Sequence, residues 1–161
     1  MAWSRLKSRW RELLAPSIAG RVDVHMAGYR NAYERRGRAW LTVDGEEVAS
    51  FCEFEHENAW REESRRETPP GRFTSVAWEK IHAAGHRHKR ELLDSLGICI
   101  GSPIDQLLAS DEFLVRALAM LDRRLGKRRL AQLDPKAEHP LVARLFNLRC
   151  ASEGMRDRSA V

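Results

Sequence analysis

The stretch Arg38-Ala39-Trp40-Leu41-Thr42-Val43-Asp44-Gly45-Glu46-Glu47-Val48-Ala49-Ser50-Phe51-Cys52 decides the fold of this chain. Trp40, Leu41, Thr42 and Val43 suit a pleated, half-buried surface. Asp44-Gly45 follows, and a type I′ turn needs positive φ at both of its central residues, which this pair accepts readily. The pattern predicts a strand over 38–43, a two-residue turn, and a returning strand from Glu47 to about His56. Val48, Ala49, Phe51, Cys52 and Phe54 supply the apolar groups of that third strand.

Moving upstream, Val22, Val24 and Met26 alternate with Asp23 and His25, a period of two that predicts a strand from Arg21 to about Tyr29. Asn31 to Gly37 reads as a polar loop. Ser4 is placed to cap a first helix whose Leu6, Trp10, Leu13 and Leu14 share one face, and Pro16 ends it.

Downstream, Glu57 to Thr68 is highly charged and reads as an exposed helix or an excursion, closed by Pro69-Pro70-Gly71. A helix capped by Ser75 is expected to run to Leu96, with Gly97 in positive φ at its end. Ser102-Pro103-Ile104-Asp105 opens a short helix. Ser110-Asp111 opens another, on which Leu114, Ala117, Leu118, Leu121 and Leu125 recur before Gly126 terminates it. Lys127 to Leu133 is a basic turn or short helix. His139-Pro140 begins the last helix, with Leu141, Val142, Leu145, Phe146 and Arg149 on one side and Gly154 as its stop. Trp40 and Trp78 are assigned to the core.

Strands followed by helices give an α+β fold: a small three-stranded antiparallel sheet, an N-terminal helix and a C-terminal bundle of about four helices. One domain over residues 1–154 and a frayed tail over 155–161 are expected. A chain of 161 residues buries roughly 70% of its unfolded surface, enough for a core without disulfides or a structural metal. No apolar run reaches the ~18 residues of a membrane span. Met1 to Lys7 is basic but leads into no uninterrupted apolar core, so no signal peptide is expected and the cytoplasm is the anticipated location. Cys52, Cys99 and Cys150 are odd in number, far apart and set among apolar neighbours, as buried free thiols would be.

The net charge is +5, and arginine supplies 23 of the 28 cationic residues. Its distribution says more than its size. Arg116, Arg123, Arg124, Lys127, Arg128 and Arg129 crowd between Arg116 and Leu130 against the single anion Asp122, so this window carries the whole excess. A local positive field attracts phosphates, nucleic acid or acidic protein surfaces.

Several of these segments together carry a resemblance. Trp3-Ser4, Pro16-Ser17, Gly20-Arg21-Val22 and Gly37-Arg38-Ala39-Trp40-Leu41-Thr42-Val43-Asp44-Gly45 form its first half. Arg116 to Leu130, His139-Pro140-Leu141-Val142 and Arg149-Cys150 form its second. The chain resembles a family of short, uncharacterised bacterial proteins over nearly its whole length, least from Phe51 to Gly71. The resemblance implies a compact bacterial cytosolic protein and brings no activity, cofactor or catalytic residue with it.

Each candidate site has a plainer alternative. Arg123, Arg124, Lys127, Arg128 and Arg129 straddle an expected helix end, where guanidinium groups from two elements would hold an anion bidentately. Cations at a helix C-terminus also complement the macrodipole, and others pair internally. Asp122, beside an apolar face, reads as a structural ion-pair partner for Arg149 or Arg21. His82, His86 and His88 fall on one expected helix, but Ala83 stands where a zinc protease needs glutamate. A metal there would need a third ligand such as His56, His139 or Cys99, and Arg87, Lys89 and Arg90 would repel a cation. No metal and no cofactor are therefore expected. No phosphate-cradling glycine loop, nucleophile elbow or dinucleotide fingerprint is present.

The leading expectation is a non-enzymatic binding or adaptor protein engaging an acidic partner, protein or nucleic acid, through the basic segment. The alternative is a small enzyme acting on a phosphorylated substrate, with arginine clamps and Asp122 or His139 as acid/base. No membrane association is expected.

Overall fold

Asp44 and Gly45 take φ of 52° and 84°, the two left-handed residues that a type I′ turn demands. They join β2 (Gly37–Val43) to β3 (Glu46–Cys52), and β1 (Val22–Gly28) completes a three-stranded antiparallel sheet in the order β1-β2-β3. This is the α+β architecture read from the sequence. The computed structural model describes residues 2–29, 36–67, 80–82, 84–134 and 138–155. Ser75, Trp78 and Pro69-Pro70-Gly71, with most of the loop after Tyr29, lie outside them. So does the tail beyond Met155.

The remaining elements are α1 (Trp3–Arg11), α2 (Glu53–Glu67), α3 (Lys89–Gly101), α4 (Ile104–Leu108), α5 (Phe113–Ala119), α6 (Lys127–Leu130) and α7 (Pro140–Ser152). The described residues fall into two compact units, one within Met1–Asp23, Thr42–Glu46 and Leu93–Val161, the other within Val24–Leu41 and Glu47–Leu92. In the first, Leu6 and Trp10 of α1 are buried with Leu14 and Ile18. There α5 packs on both α4 and α7, and α7 buries Leu141, Val142, Leu145, Phe146 and Arg149. Each fully buried aliphatic side chain of this kind contributes roughly 1.5–3 kcal/mol.

In the second unit, Ala39 and Leu41 turn inward on β2, while Trp40 stays half-exposed on the other face. Its ring stacks on His25 at 5.2 Å, and the Arg38 guanidinium lies 4.6 Å above it. Trp40 is therefore half-buried between His25 and Arg38 and not the core residue expected. Gly37 has no room for a side chain: a Cβ would sit 2.1 Å from the Ala27 carbonyl oxygen.

Other expectations change as well. The third strand ends at Cys52, and Glu53 starts a helix that absorbs Phe54 and His56. Glu53 and Glu55 in the first turn favour the helix through its dipole, and the Glu53 carboxylate accepts from the Gly37 amide at 2.7 Å. The helix expected to end at Gly97 runs through it to Gly101. Leu92, Leu96 and Cys99 continue one buried face across that glycine, which outweighs its ~1 kcal/mol helix penalty. Helix α1 begins at Trp3, with Ala2 rather than Ser4 at the capping position. Among the forecasts the structure matches, His139 caps α7, its Nδ1 accepting from the Leu141 amide, and Gly154 ends that helix region at φ 71°.

Candidate functional site

The basic segment does not straddle one helix end. Leu121 and Leu125 are fully buried, which gave the sequence its helical period, yet α5 stops at Ala119. The chain leaves the helix because its backbone finds other partners. Ala15 donates to Leu121 O at 2.9 Å, Arg123 donates to Leu13 O at 2.7 Å, and Leu14 bridges Asp122 antiparallel. Gly126, at φ −69°, occupies the N-cap position of α6 instead of closing a helix.

Two arginines hold this turn. Arg149, 3% exposed on α7, donates to Asp122 O at 3.0 Å and Leu125 O at 3.1 Å. Its Nε also reaches the Glu153 carboxylate at 2.9 Å. Arg124 grips the buried Asp122 carboxylate, Nε at 3.0 Å from both oxygens and Nη2 at 2.6 Å from Oδ2. The same guanidinium donates to Cys99 O at 2.8 Å and Ser102 O at 2.9 Å. Asp122 is thus partnered by Arg124, not by Arg149 or Arg21. Arg21 instead pairs with the Asp44 carboxylate at 2.6 Å, and Arg149 touches only the backbone of Asp122.

The other cations divide. Lys127 lies 3.0 Å from Glu153, Arg129 pairs with Asp105, and Arg116 pairs with Glu138 at 2.9 Å. Arg123 and Arg128 are exposed, and among the described residues no side-chain partner meets either guanidinium. Glu153 gathers Ser17 at 2.7 Å, Lys127 and Arg149. The Ser17 hydroxyl most of all, then Lys127 and Arg149, hold its carboxyl far below the ordinary glutamate value, to about 2, against the opposing effect of burial. Cys99 behaves oppositely: burial, reinforced by Asp122 and opposed by Arg124, pushes its thiol up to about 12. Cys52, Cys99 and Cys150 are all buried free thiols, and a thiol so hard to ionise is a poor nucleophile.

The histidines take a different arrangement from the one expected. Gly85 turns the chain at φ 86°, so His82 and His86 do not form a helical i, i+4 pair. His82 instead meets His56 of α2, the ring centroids 5.9 Å apart, and Glu91 of α3, its Nε2 3.5 Å from Oε1. His56, 3% exposed, also meets His88 edge-on at 5.6 Å. One ligand atom from each of His56, His82 and Glu91 lies within 4.8 Å of the others. Burial is the main cause lowering the His56 pKa, with His88, His82 and His86 adding to it and Glu91 opposing. His139 stands apart, stacked on Phe113 at 3.8 Å.

Residues 2–150 of the chain match the SF0329 protein family, a family of uncharacterised proteins. The chain belongs to the SF0329 protein family. Neither a curated protein nor a solved structure matches it.

In this SF0329 family member, sequence reasoning missed Glu153 and Glu91, the two carboxylates that organise the two clusters. Nothing local marks either. Glu153 reaches back 136 positions to Ser17, and Glu91 sits among charged residues resembling a solvated helix face. Among the described residues, no helix is long and apolar enough to cross a membrane.

Proposed function

We propose that this protein is a bacterial, cytoplasmic binding or adaptor protein that engages an acidic protein surface through Arg123 and Arg128, with Lys127 and Arg129 at the rim. The observation that carries this reading is the contrast within one turn. Arg124 and Arg149 are spent on fixing the backbone, while Arg123 and Arg128 present guanidinium groups that nothing described in the fold neutralises. A fixed mount lowers the entropic cost of holding an anion, and bidentate guanidinium–carboxylate pairing favours arginine for it.

The alternative, an enzyme using arginine clamps on a phosphorylated substrate, draws less support. Both Asp122 carboxylate oxygens are taken by Arg124, and the His139 Nδ1 accepts from the Leu141 amide. Asp122 is therefore held as an ion-pair partner, and one ring nitrogen of His139 is occupied in capping α7. The decisive test is capture of partners by wild type and by the Arg123→Ala/Arg128→Ala variant, with and without nuclease. The partner is expected to survive nuclease and to be lost with the variant. A folded variant that keeps every partner removes the reading. A partner that vanishes with nuclease and shows a log–log salt slope of about −2, as two phosphate contacts give, assigns nucleic acid instead.

A further inference from the structure

We propose that His56, His82 and Glu91 form a three-ligand site for a divalent transition ion of the zinc type. The three side chains come from separate segments: the first turn of α2, the helical turn at 80–82, and the first turn of α3. They nevertheless bring one nitrogen or oxygen each to within 4.8 Å of one another. A tetrahedral ion with bonds of ~2.0–2.1 Å sets its ligand atoms about 3.4 Å apart. The His82 Nε2–Glu91 Oε1 separation, 3.5 Å, already equals one edge of that tetrahedron. His56 offers its donor atom within 4.8 Å of both, so the ion would draw this third ligand in to complete the set.

The surroundings fit a metal better than the sequence alone implies. Arg87 and Lys89, which looked repulsive, are each turned onto a carboxylate: Arg87 onto Glu91 Oε2 at 3.2 Å and Lys89 onto Glu53 at 2.8 Å. Arg87 thus orients Glu91 from the side away from His82. The His88 backbone amide donates to Glu91 Oε1 at 2.9 Å and fixes it further. Such outer partners set the direction of a ligand and tune its affinity. His88 itself is committed, with Nε2 3.3 Å from Glu53 and Nδ1 accepting from the Arg90 amide at 3.1 Å. It stands beside the site as a support and leaves the fourth coordination position to solvent or a ligand. His56 is buried, while His82 and Glu91 are about a third exposed, so the ion has a fixed anchor and an entry. Two histidines, one carboxylate and an open position is a donor set of catalytic and exchangeable zinc, and other borderline divalent ions accept it too.

The test uses the tag-free full chain, stripped with chelator and titrated with Zn2+ against a chromophoric competitor, and with Co2+ followed by visible ligand-field absorption. Wild type is expected to take up one equivalent of either ion, with the intense Co2+ bands of four-coordination. His82→Asn and Glu91→Gln, which alter partly exposed side chains, are expected to weaken binding by about 10–100-fold or more and to remove those bands. His86→Asn and His139→Asn are expected to leave both unchanged. Circular dichroism establishes that each variant is folded. No stoichiometric uptake by wild type overturns the proposal, as does binding that persists in folded His82→Asn and Glu91→Gln or that follows His86 instead.

Discussion

Two charged clusters sit in the two units and are built on opposite plans. Around Asp122 to Glu153, arginines saturate backbone carbonyls and carboxylates from within a single unit, so charge serves to fix a turn. Around His56, His82 and Glu91, two imidazoles and a carboxylate bring one ligand atom each to within 4.8 Å of one another, with Arg87 holding the carboxylate from its other oxygen. The first arrangement spends most of its polar groups on structure, and among the described residues Arg123 and Arg128 are left over. The second collects nitrogen and oxygen ligand atoms from three separate segments. A cluster in which every strong donor is paired is evidence for architecture, and one in which ligands converge is evidence for chemistry.

That contrast is most directly broken at Arg149. Arg149→Met keeps much of the side-chain volume but leaves the Asp122 and Leu125 carbonyls and part of the Glu153 carboxylate without their buried donor. Removing one partner of a buried charged network costs about 3–5 kcal/mol. Urea unfolding should show the midpoint falling with an unchanged slope. A loss under about 1 kcal/mol would mean that Arg149 merely fills space. The matching His82→Asn change in the other unit should leave stability nearly unaltered in the absence of metal.

The pH dependence of the same network follows from Glu153. Its folded-state value, about 2, lies below the unfolded one, so the unfolded state binds the proton more readily. The stabilisation is complete above the ordinary glutamate range and is lost as pH falls through that range towards 2. An effect on the order of 2 kcal/mol is expected at neutral pH. Glu153→Gln should lower neutral-pH stability and flatten the acid limb of the stability profile. An acid limb identical in wild type and variant would show that other carboxylates govern it.

How far the sequence could foresee these clusters depends on distance along the chain. Asp44-Gly45, His139-Pro140 and Gly154 were legible because turn and cap chemistry is local: a φ requirement or one amide decides it. The paired half of the basic segment was less so, since Leu121 and Leu125 kept a helical period while the backbone bonded to residues 13–15. Periodicity reports burial, and a buried irregular segment imitates a helix. The partners Ser17–Glu153 and His56–His82–Glu91 were illegible for a different reason: tertiary closure alone brings them together. The same holds for the neutralisation of Arg87 and Lys89, without which the histidine group looked too cationic for a metal.

Gly85 sharpens the comparison from the second unit. At φ 86° it lets the chain reverse after His82, and an alanine there pays a left-handed penalty of about 1–2 kcal/mol. Nothing lies within 4 Å of an added Cβ, so the cost is conformational rather than steric. Gly85→Ala should lower stability by about 1 kcal/mol and weaken Zn2+ uptake, whereas Gly85→Asn, which tolerates positive φ, should retain most of both. Equal behaviour of the two variants would show that the backbone conformation at 85 does not position His82.

The smallest expected effect is the most telling for the first unit. Arg123→Ala/Arg128→Ala removes two guanidinium groups from the turn, yet should change unfolding free energy by no more than about 0.5 kcal/mol, as for surface residues without partners. Arg124→Ala, one residue away, strips the buried Asp122 of its counter-ion and should cost several times more. Thermal melts of the three proteins side by side read this directly. If the double variant is as damaging as Arg124→Ala, Arg123 and Arg128 belong to the scaffold, and the basic segment has no face left over for a partner. If it is neutral, the division between arginines that build the turn and arginines that it displays falls within a single run of residues.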